Sequence, residues 1–170
     1  MDKRIKLGIS ACLLGEKVRY DGGHKLDRYL KDTLGRLVDY IPVCPEAEGG
    51  FGIPREPMQL LGSPASPRLV TINTHIDHTE RMLAWSRKKL DELEREVVDG
   101  FIFKSRSPSC GVGTVDVYGV DGVSKTGSGI FAAAFMKRFP MTPVADEDTL
   151  HDPKHLEDFI ERVKAFKTAT

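Results

Sequence analysis

The sequence predicts an α/β fold: a mostly parallel, Rossmann-like sheet with helices on both of its faces. Short apolar segments that suit buried strands alternate at least four times with segments whose apolar residues recur at helical spacing. This alternation is typical of a parallel sheet, because each parallel connection must cross over the sheet, usually through a helix. We find no internal repeat and no linker, and therefore expect residues 1–170 to form a single domain.

The first half of the chain contains two predicted strands separated by a helix. Residues 6–11 form the first strand, which ends at Cys12, and residues 37–43 form the second, which ends at Cys44. Between them, apolar residues at helical spacing predict a crossover helix from His24 to about Arg36.

The middle of the chain, residues 48–67, is rich in glycine and proline and has no periodic pattern. An irregular segment of this length inside a compact domain is usually functional or disordered. Its embedded apolar residues favour an ordered flap, and residues 69–72 suit a short edge strand.

The second half alternates strands and helices more regularly. Asp77 and Glu80 have the spacing of a capping box for a helix that runs to about Glu96. The remaining predictions are a strand at 100–103, a hairpin of 114–118 with 122–125, a helix capped by Ser128, a strand at 141–144 and a last helix capped by Asp152 with Pro153 at its first position.

Composition and charge exclude several functions. The chain has 25 basic and 25 acidic residues, so it offers no net positive charge for a nucleic acid or an anionic membrane surface. Its apolar runs are too short to span a bilayer, and the N-terminal residues lead directly into the first strand without the apolar segment of a signal peptide. We expect a cytoplasmic protein.

Three cysteines, Cys12, Cys44 and Cys110, each follow an apolar strand and begin an irregular loop. The carboxyl ends of parallel strands share one edge of a sheet, so the three sulfurs are predicted to converge there. The alternative is three unrelated buried thiols. A structural zinc site would use a fourth ligand and paired cysteines, and the sequence has no C-x-x-C. Three thiolates suit an iron–sulfur cluster with one iron left open to act as a Lewis acid.

Candidate catalytic and binding residues lie beside these cysteines. Glu46 follows Cys44 closely and is the candidate acid or base, although a solvated loop glutamate is the commoner case. The segment before Cys110 offers hydroxyl groups and a cation for substrate binding or for capping the backbone, namely Lys104, Ser105, Ser107 and Ser109. Arg19 and Arg55, each in a glycine- or proline-rich loop, are candidate clamps for a substrate.

Three motifs together resemble the bacterial thiouracil desulfurase family. They are S-A-C-L-L-G-x-x-V-R-Y-D-G at Ser10–Gly22, C-P-E at Cys44–Glu46 and K-S-R-S-P-S-C-G at Lys104–Gly111. They occur in order along nearly the whole chain, which resembles the short, single-domain form of the family.

The resemblance implies a 4Fe-4S cluster held by Cys12, Cys44 and Cys110, and removal of sulfur from 2-thiouracil without net redox chemistry. The thiocarbonyl sulfur would bind the open iron while water replaces it at carbon. An acidic residue and a serine assist in the family, and Glu46 and Ser107 match them best.

Two other readings remain open at the level of sequence. A non-catalytic protein could use an iron–sulfur or zinc site to sense iron, redox state or a small ligand, but such a structural site would be closed by a fourth ligand. A desulfurase could also act on another thiolated pyrimidine, such as a nucleoside. The neutral charge argues against intact tRNA, because phosphate contacts require a basic surface.

Overall fold

The structure is a computed structural model that describes residues 4–170. The prediction about the start of the chain concerns residues 1–3 and lies outside this range. Within the described range the strands and α-helices are, in chain order, β1 (Ile5–Ser10), β2 (Val38–Val43), α1 (Pro45–Glu48), β3 (Met58–Ser63), β4 (Ser66–Thr71), α2 (Thr79–Glu96), β5 (Gly100–Phe103), β6 (Val115–Gly119), β7 (Gly122–Gly127), α3 (Ile130–Arg138), β8 (Val144–Asp146), α4 (Glu147–Leu150) and α5 (Pro153–Ala169).

The predicted parallel sheet is present and has four strands in the order β2-β1-β5-β8. All three neighbouring pairs in it are parallel. The carboxyl ends of β1, β2 and β5 therefore lie side by side at one edge, and the three cysteines follow these strands along the chain.

Helices cover both faces of this sheet, as the sequence predicts. On one face, Phe101 and Phe103 of β5 stack with ring centroids 4.1 Å apart and pack on Phe131 and Phe135 of α3. On the other face, Ile102 packs in a cluster with residues of α5 such as Phe159. These side chains are fully buried, and each contributes about 1.5–3 kcal/mol through removal from water.

A second sheet, which the sequence analysis missed, has the strand order β4-β3-β6-β7. Two antiparallel hairpins join through the parallel pair β3–β6. The predicted hairpin is β6–β7, and the predicted edge strand is part of β4. The prediction of an irregular flap over residues 48–67 is wrong from Met58 onward, because β3 gains its hydrogen bonds from β4 and from distant β6.

The predicted crossover helix from His24 to Arg36 is also wrong over its first part. The backbone N–H groups of Lys25 and Asp27 donate to the carbonyls of Cys12 and Leu13, so they are not available to a helix. Helical geometry is limited to a π turn at Tyr29–Thr33 and a 3-10 turn at Leu34–Arg36.

Two predicted caps differ from the structure, and one is confirmed. Ser128 accepts a hydrogen bond from the Gly113 amide, and Gly129 is the residue that precedes α3. Asp77 accepts from the Thr79 amide, but Glu80 pairs with Arg68, so the capping box does not close. Asp152 accepts from the Lys154 amide and caps α5, as predicted.

The last strand lies later than the predicted 141–144. Pro143 has no amide hydrogen, and the amide of Thr142 closes a turn onto Phe139. The strand β8 therefore begins only at Val144.

None of the helices between residues 4 and 170 combines the length and the apolar character that crossing a membrane requires.

Candidate metal centre and active site

A cavity of about 350 Å³ opens at the carboxyl edge of the parallel sheet. Every site residue that the sequence predicts lines it: Cys12, Arg19, Cys44, Glu46, Arg55, Lys104, Ser105, Ser107, Ser109 and Cys110. The structure therefore brings all of these residues together, while their individual roles stay predictions.

Local structure fixes each thiol differently. Cys12 lies in a 3-10 turn directly after β1. Cys44 precedes α1, its sulfur accepts from the Ala47 amide at 3.5 Å, and its own amide donates to Glu48 Oε2 at 2.7 Å. Cys110 is buried, and its amide donates to Ser107 Oγ at 3.0 Å. Backbone hydrogen bonds thus surround all three cysteines, since the Cys12 carbonyl also accepts from the amides of Gly15 and Lys25. Such support is what a metal site requires of its ligands.

The thiols prefer their neutral form in the absence of a metal. Burial, and then the proximity of Cys44, raise the pKa of Cys12 to about 11. Burial likewise raises the pKa of Cys44 and of Cys110 above the ordinary value. Because thiolates are the ligating form, metal binding at this site would release protons.

The three thiols that line the cavity are a donor set that fits an iron–sulfur cluster. Within residues 4–170, no three His, Cys, Asp or Glu side chains lie close enough together to hold one metal ion. In an iron–sulfur cluster each thiolate binds a different iron, so the ligands stand farther apart than those of one ion. A set of thiols without histidine or carboxylate ligands is also the set that such clusters prefer.

Glu46 lies beside the thiols with both carboxylate oxygens hydrogen-bonded. Oε1 accepts from Arg55 Nε at 3.0 Å, and Oε2 accepts from Ser109 Oγ at 2.9 Å. Its side chain is 12% exposed, so the solvated loop glutamate of the alternative reading is not what the structure contains. A carboxylate held in this way can exchange a proton with a molecule in the cavity.

Arg55 was expected to contact a substrate, and the structure gives it three partners within the protein. Besides Glu46, its guanidinium donates to the carbonyls of Gly52 and Val18, each at 2.8 Å. Its side chain is 6% exposed. Arg55 therefore orients Glu46 and ties the flap to the loop after β1. Arg19 lies at the cavity wall, with its guanidinium 5.6 Å from the centre of the Tyr20 ring.

Two serines form a chain of hydroxyl groups that ends on Glu46. Ser107 Oγ accepts from the amides of Ser109 and Cys110 and lies 3.1 Å from Ser109 Oγ. Because Ser109 donates its hydroxyl hydrogen to Glu46, the hydroxyl of Ser107 is the donor to Ser109. Protons can pass along such a chain.

Lys104 and Ser105 contact a residue that the sequence analysis missed, the buried Glu147 of α4. Its Oε1 accepts from the Ser105 amide and its Oε2 from Ser105 Oγ, while Lys104 Nζ lies 3.0 Å from Oε2. Glu147 directly follows β8, so the strand-end rule that identified the cysteines would have found it had β8 been placed correctly.

The chain is similar to known proteins over most of its length. A sequence model of the 2-thiouracil desulfurase family matches residues 7–147. The uncharacterized protein YbbK of Bacillus subtilis (strain 168) is 33% identical over 134 residues, covering 74% of this chain and 85% of YbbK. Among solved structures, the 4Fe-4S-dependent thiouracil desulfidase TudS is similar with a TM-score of 0.71 and 32% identity, covering 88% of this chain and 95% of that one.

Fold and site together define a class of protein, one in which the carboxyl edge of a parallel sheet presents three thiols beside a hydrogen-bonded carboxylate. The extent of the family match and the identity to YbbK show that the chain belongs to the 2-thiouracil desulfurase family. The resemblance carried by the three sequence motifs is thereby confirmed. The family and TudS indicate a function of the thiouracil desulfurase type.

Proposed function

We propose that this protein hydrolyses the thiocarbonyl group of 2-thiouracil, or of a related thiolated pyrimidine, to give uracil and sulfide. Two carbon–sulfur bonds of the C=S group break and two carbon–oxygen bonds form. The two protons of water leave with the sulfur as hydrogen sulfide, so no oxidant or reductant is needed. The observation that carries this proposal is that three thiols and the Ser107–Ser109–Glu46 chain line one cavity.

The residues that would hold the cofactor are Cys12, Cys44 and Cys110, and the cofactor they suit is a 4Fe-4S cluster. Three protein ligands leave one of four irons without a thiolate. When bound, the cluster supplies a Lewis acid that attracts a soft thiocarbonyl sulfur and makes its carbon more electrophilic. We infer this ligand set from the donor chemistry of the site and from the relation to TudS.

Glu46 is the proposed general base. A water molecule that adds to the thiocarbonyl carbon must lose a proton, and Glu46 Oε2 can accept it directly or through Ser109 Oγ, 2.9 Å away. The bond from Arg55 to Oε1 keeps the carboxylate in one orientation during the reaction. The same carboxyl group can return the proton to the departing sulfur.

Ser107 is the proposed substrate-contacting hydroxyl, and Ser109 links it to Glu46. The oxygen of Ser107 already accepts two amide hydrogens, so its remaining capacity is to donate. It can donate to Ser109 at rest and to a polar atom of the pyrimidine when the cavity is filled. Arg19 remains a proposed contact for the substrate at the cavity wall.

The size of the cavity supports a small substrate. A volume of about 350 Å³ lies in the lower part of the range of roughly 300–1,000 Å³ that small-molecule sites occupy. A free pyrimidine fits such a volume.

An anaerobic turnover assay tests this proposal. Protein reconstituted with iron and sulfide is incubated with 2-thiouracil, and uracil and sulfide are measured over time. We expect equal amounts of both products, and none from the Cys44→Ala variant treated identically. Cluster-loaded protein that binds 2-thiouracil without releasing uracil would contradict the proposal and favour the sensor reading.

A further inference from the structure

Glu147 is a buried carboxylate whose contacts all point toward the cavity wall. It is 7% exposed, follows β8 at the carboxyl edge of the sheet and does not itself line the cavity. Its Oε1 lies 2.6 Å from the Ser105 amide, and its Oε2 lies 3.0 Å from both Ser105 Oγ and Lys104 Nζ. It therefore contacts two residues that do line the cavity.

The local fold does not explain why a carboxylate occupies this position. The cap of α4 is supplied by Asp146, whose side chain accepts from the Thr149 amide. Replacing a buried ion pair with apolar residues is often neutral or stabilising, so such a pair is weak evidence for a role in stability alone. The contacts of Glu147 instead join the loop after β5 to the end of β8.

Lys104 is held in a single place by these contacts. Its ammonium group donates to the Ser105 carbonyl at 2.9 Å and to Ser105 Oγ at 3.2 Å, in addition to its pairing with Glu147. Its backbone amide donates to Ser10 Oγ at the end of β1, close to Cys12. The result is a fixed positive charge at the wall of the cavity.

We propose that Glu147 is a positioning residue that holds the Lys104 ammonium and the Ser105 backbone in place at the cavity wall. This inference rests on the proposed desulfuration. Negative charge grows on the thiocarbonyl group only as water adds to it, so an ammonium that is already fixed nearby stabilises the transition state more than the bound substrate. An unattached lysine would have to be reoriented in each turnover.

The first test measures whether Glu147 restrains the Lys104 ammonium group, and it does not depend on enzyme activity. Cluster-loaded wild type, Glu147→Gln and Asp148→Asn are exposed to an amine-acetylating reagent, and modification of Lys104 is followed by mass spectrometry. Asp148 is the matched control, because its Oδ2 also lies within hydrogen-bond distance of Ser105 Oγ, at 3.1 Å, but the carboxylate pairs with Arg106 instead of Lys104.

Glutamine can still accept from the Ser105 amide, but its amide hydrogens would face the ammonium group. We expect the Lys104 acetylation rate to rise on the order of tenfold in Glu147→Gln, which corresponds to about 1.4 kcal/mol, and to change less than about twofold in Asp148→Asn. An unchanged rate in Glu147→Gln would overturn the proposal, whatever the activity of the protein.

The second test asks whether Glu147 acts through Lys104. We expect Glu147→Gln and Lys104→Met each to lower kcat on the order of tenfold while KM stays within about threefold, because the interaction is made in the transition state. The double variant should be no slower than Lys104→Met alone. Effects on kcat that multiply in the double variant would overturn the proposal, since a purely structural glutamate would act independently.

The two tests separate this inference from the proposed function. If 2-thiouracil is not a substrate, the acetylation rates still decide whether Glu147 holds Lys104. If Glu147→Gln folds poorly, shown by circular dichroism, Lys104→Met keeps the Ser105 bonds of Glu147 intact. Unchanged kcat in Lys104→Met, with wild-type activity established, would then refute the role of the ammonium group.

Discussion

Gly129→Ala should displace the loop that carries Ser109 and Cys110 without removing any functional side chain. A β-carbon at position 129 would lie 2.3 Å from the Ser109 carbonyl carbon and 2.6 Å from the Cys110 amide nitrogen. Both are backbone atoms and cannot rotate away. Ordinary contact begins at 3.4 Å, so the start of α3 and the Ser109–Cys110 peptide must separate by about 1 Å.

The expected decrease in the free energy of unfolding follows from this separation. Overpacking of this kind costs typically about 1–3 kcal/mol. It also weakens the bonds from the Phe131 amide to the Ser109 carbonyl and from the Gly129 amide to the Gly111 carbonyl, each worth about 0.5–1.5 kcal/mol. Alanine also lowers the conformational entropy of the unfolded chain, which offsets about 0.4–1 kcal/mol of this destabilisation. We expect a net destabilisation of about 1–5 kcal/mol.

The Gly129→Ala substitution should impair cluster binding more strongly than it lowers the stability of the fold. Metal sites tolerate deviations of only about 0.2 Å in their ligand distances, so a Cys110 displaced by about 1 Å is a poor ligand. Iron per protein after reconstitution, together with urea unfolding of the apoprotein, measures both effects. Gly35→Ala is the control, because its nearest new contact, with the Leu30 carbonyl oxygen, is 3.4 Å. Wild-type iron content and an unchanged urea midpoint in Gly129→Ala would refute this reasoning.

Three further predictions concern the thiols, the base and pH. Alanine in place of Cys12, Cys44 or Cys110 should abolish the iron–sulfur absorbance, and full iron content in two of the three variants would contradict a shared cluster. Glu46→Gln should keep the cluster absorbance and the circular dichroism but lose turnover by roughly a hundredfold or more; near wild-type turnover would exclude Glu46 as the base. The pKa of Asp77 is lowered from 3.8 to about 2 by hydrogen bonds from Thr79 and by Arg68. Asp77 should therefore stabilise the fold above its ordinary pKa, by about 1 kcal/mol because its side chain is 42% exposed. This contribution should decline below pH 3.8 and be lost as pH falls through about 2. Unfolding of Asp77→Ala that differs from wild type equally at pH 6 and pH 2 would contradict it.

The sequence alone determined the features that depend on local pattern. Alternating apolar segments identified the four strands of the parallel sheet, with β8 displaced by a few residues. The rule that parallel strands end at one edge then placed Cys12, Cys44 and Cys110 in a common cavity, together with Glu46 and the serines that follow β5. These inferences succeed because side-chain periodicity and chain direction are properties of short segments.

Only the tertiary structure decided the features that depend on contacts between distant residues. The strand β3 pairs with β6 far along the chain, and a glycine- and proline-rich sequence does not encode that partner. Arg55 was predicted as a substrate contact, and only the fold shows that its guanidinium also pairs with Glu46. Glu147 was not identified from the sequence at all, and only the fold shows that it is buried beside Lys104 and Ser105. A charged side chain becomes part of a site through the partners that folding brings to it, and those partners cannot be identified from its own neighbours in sequence.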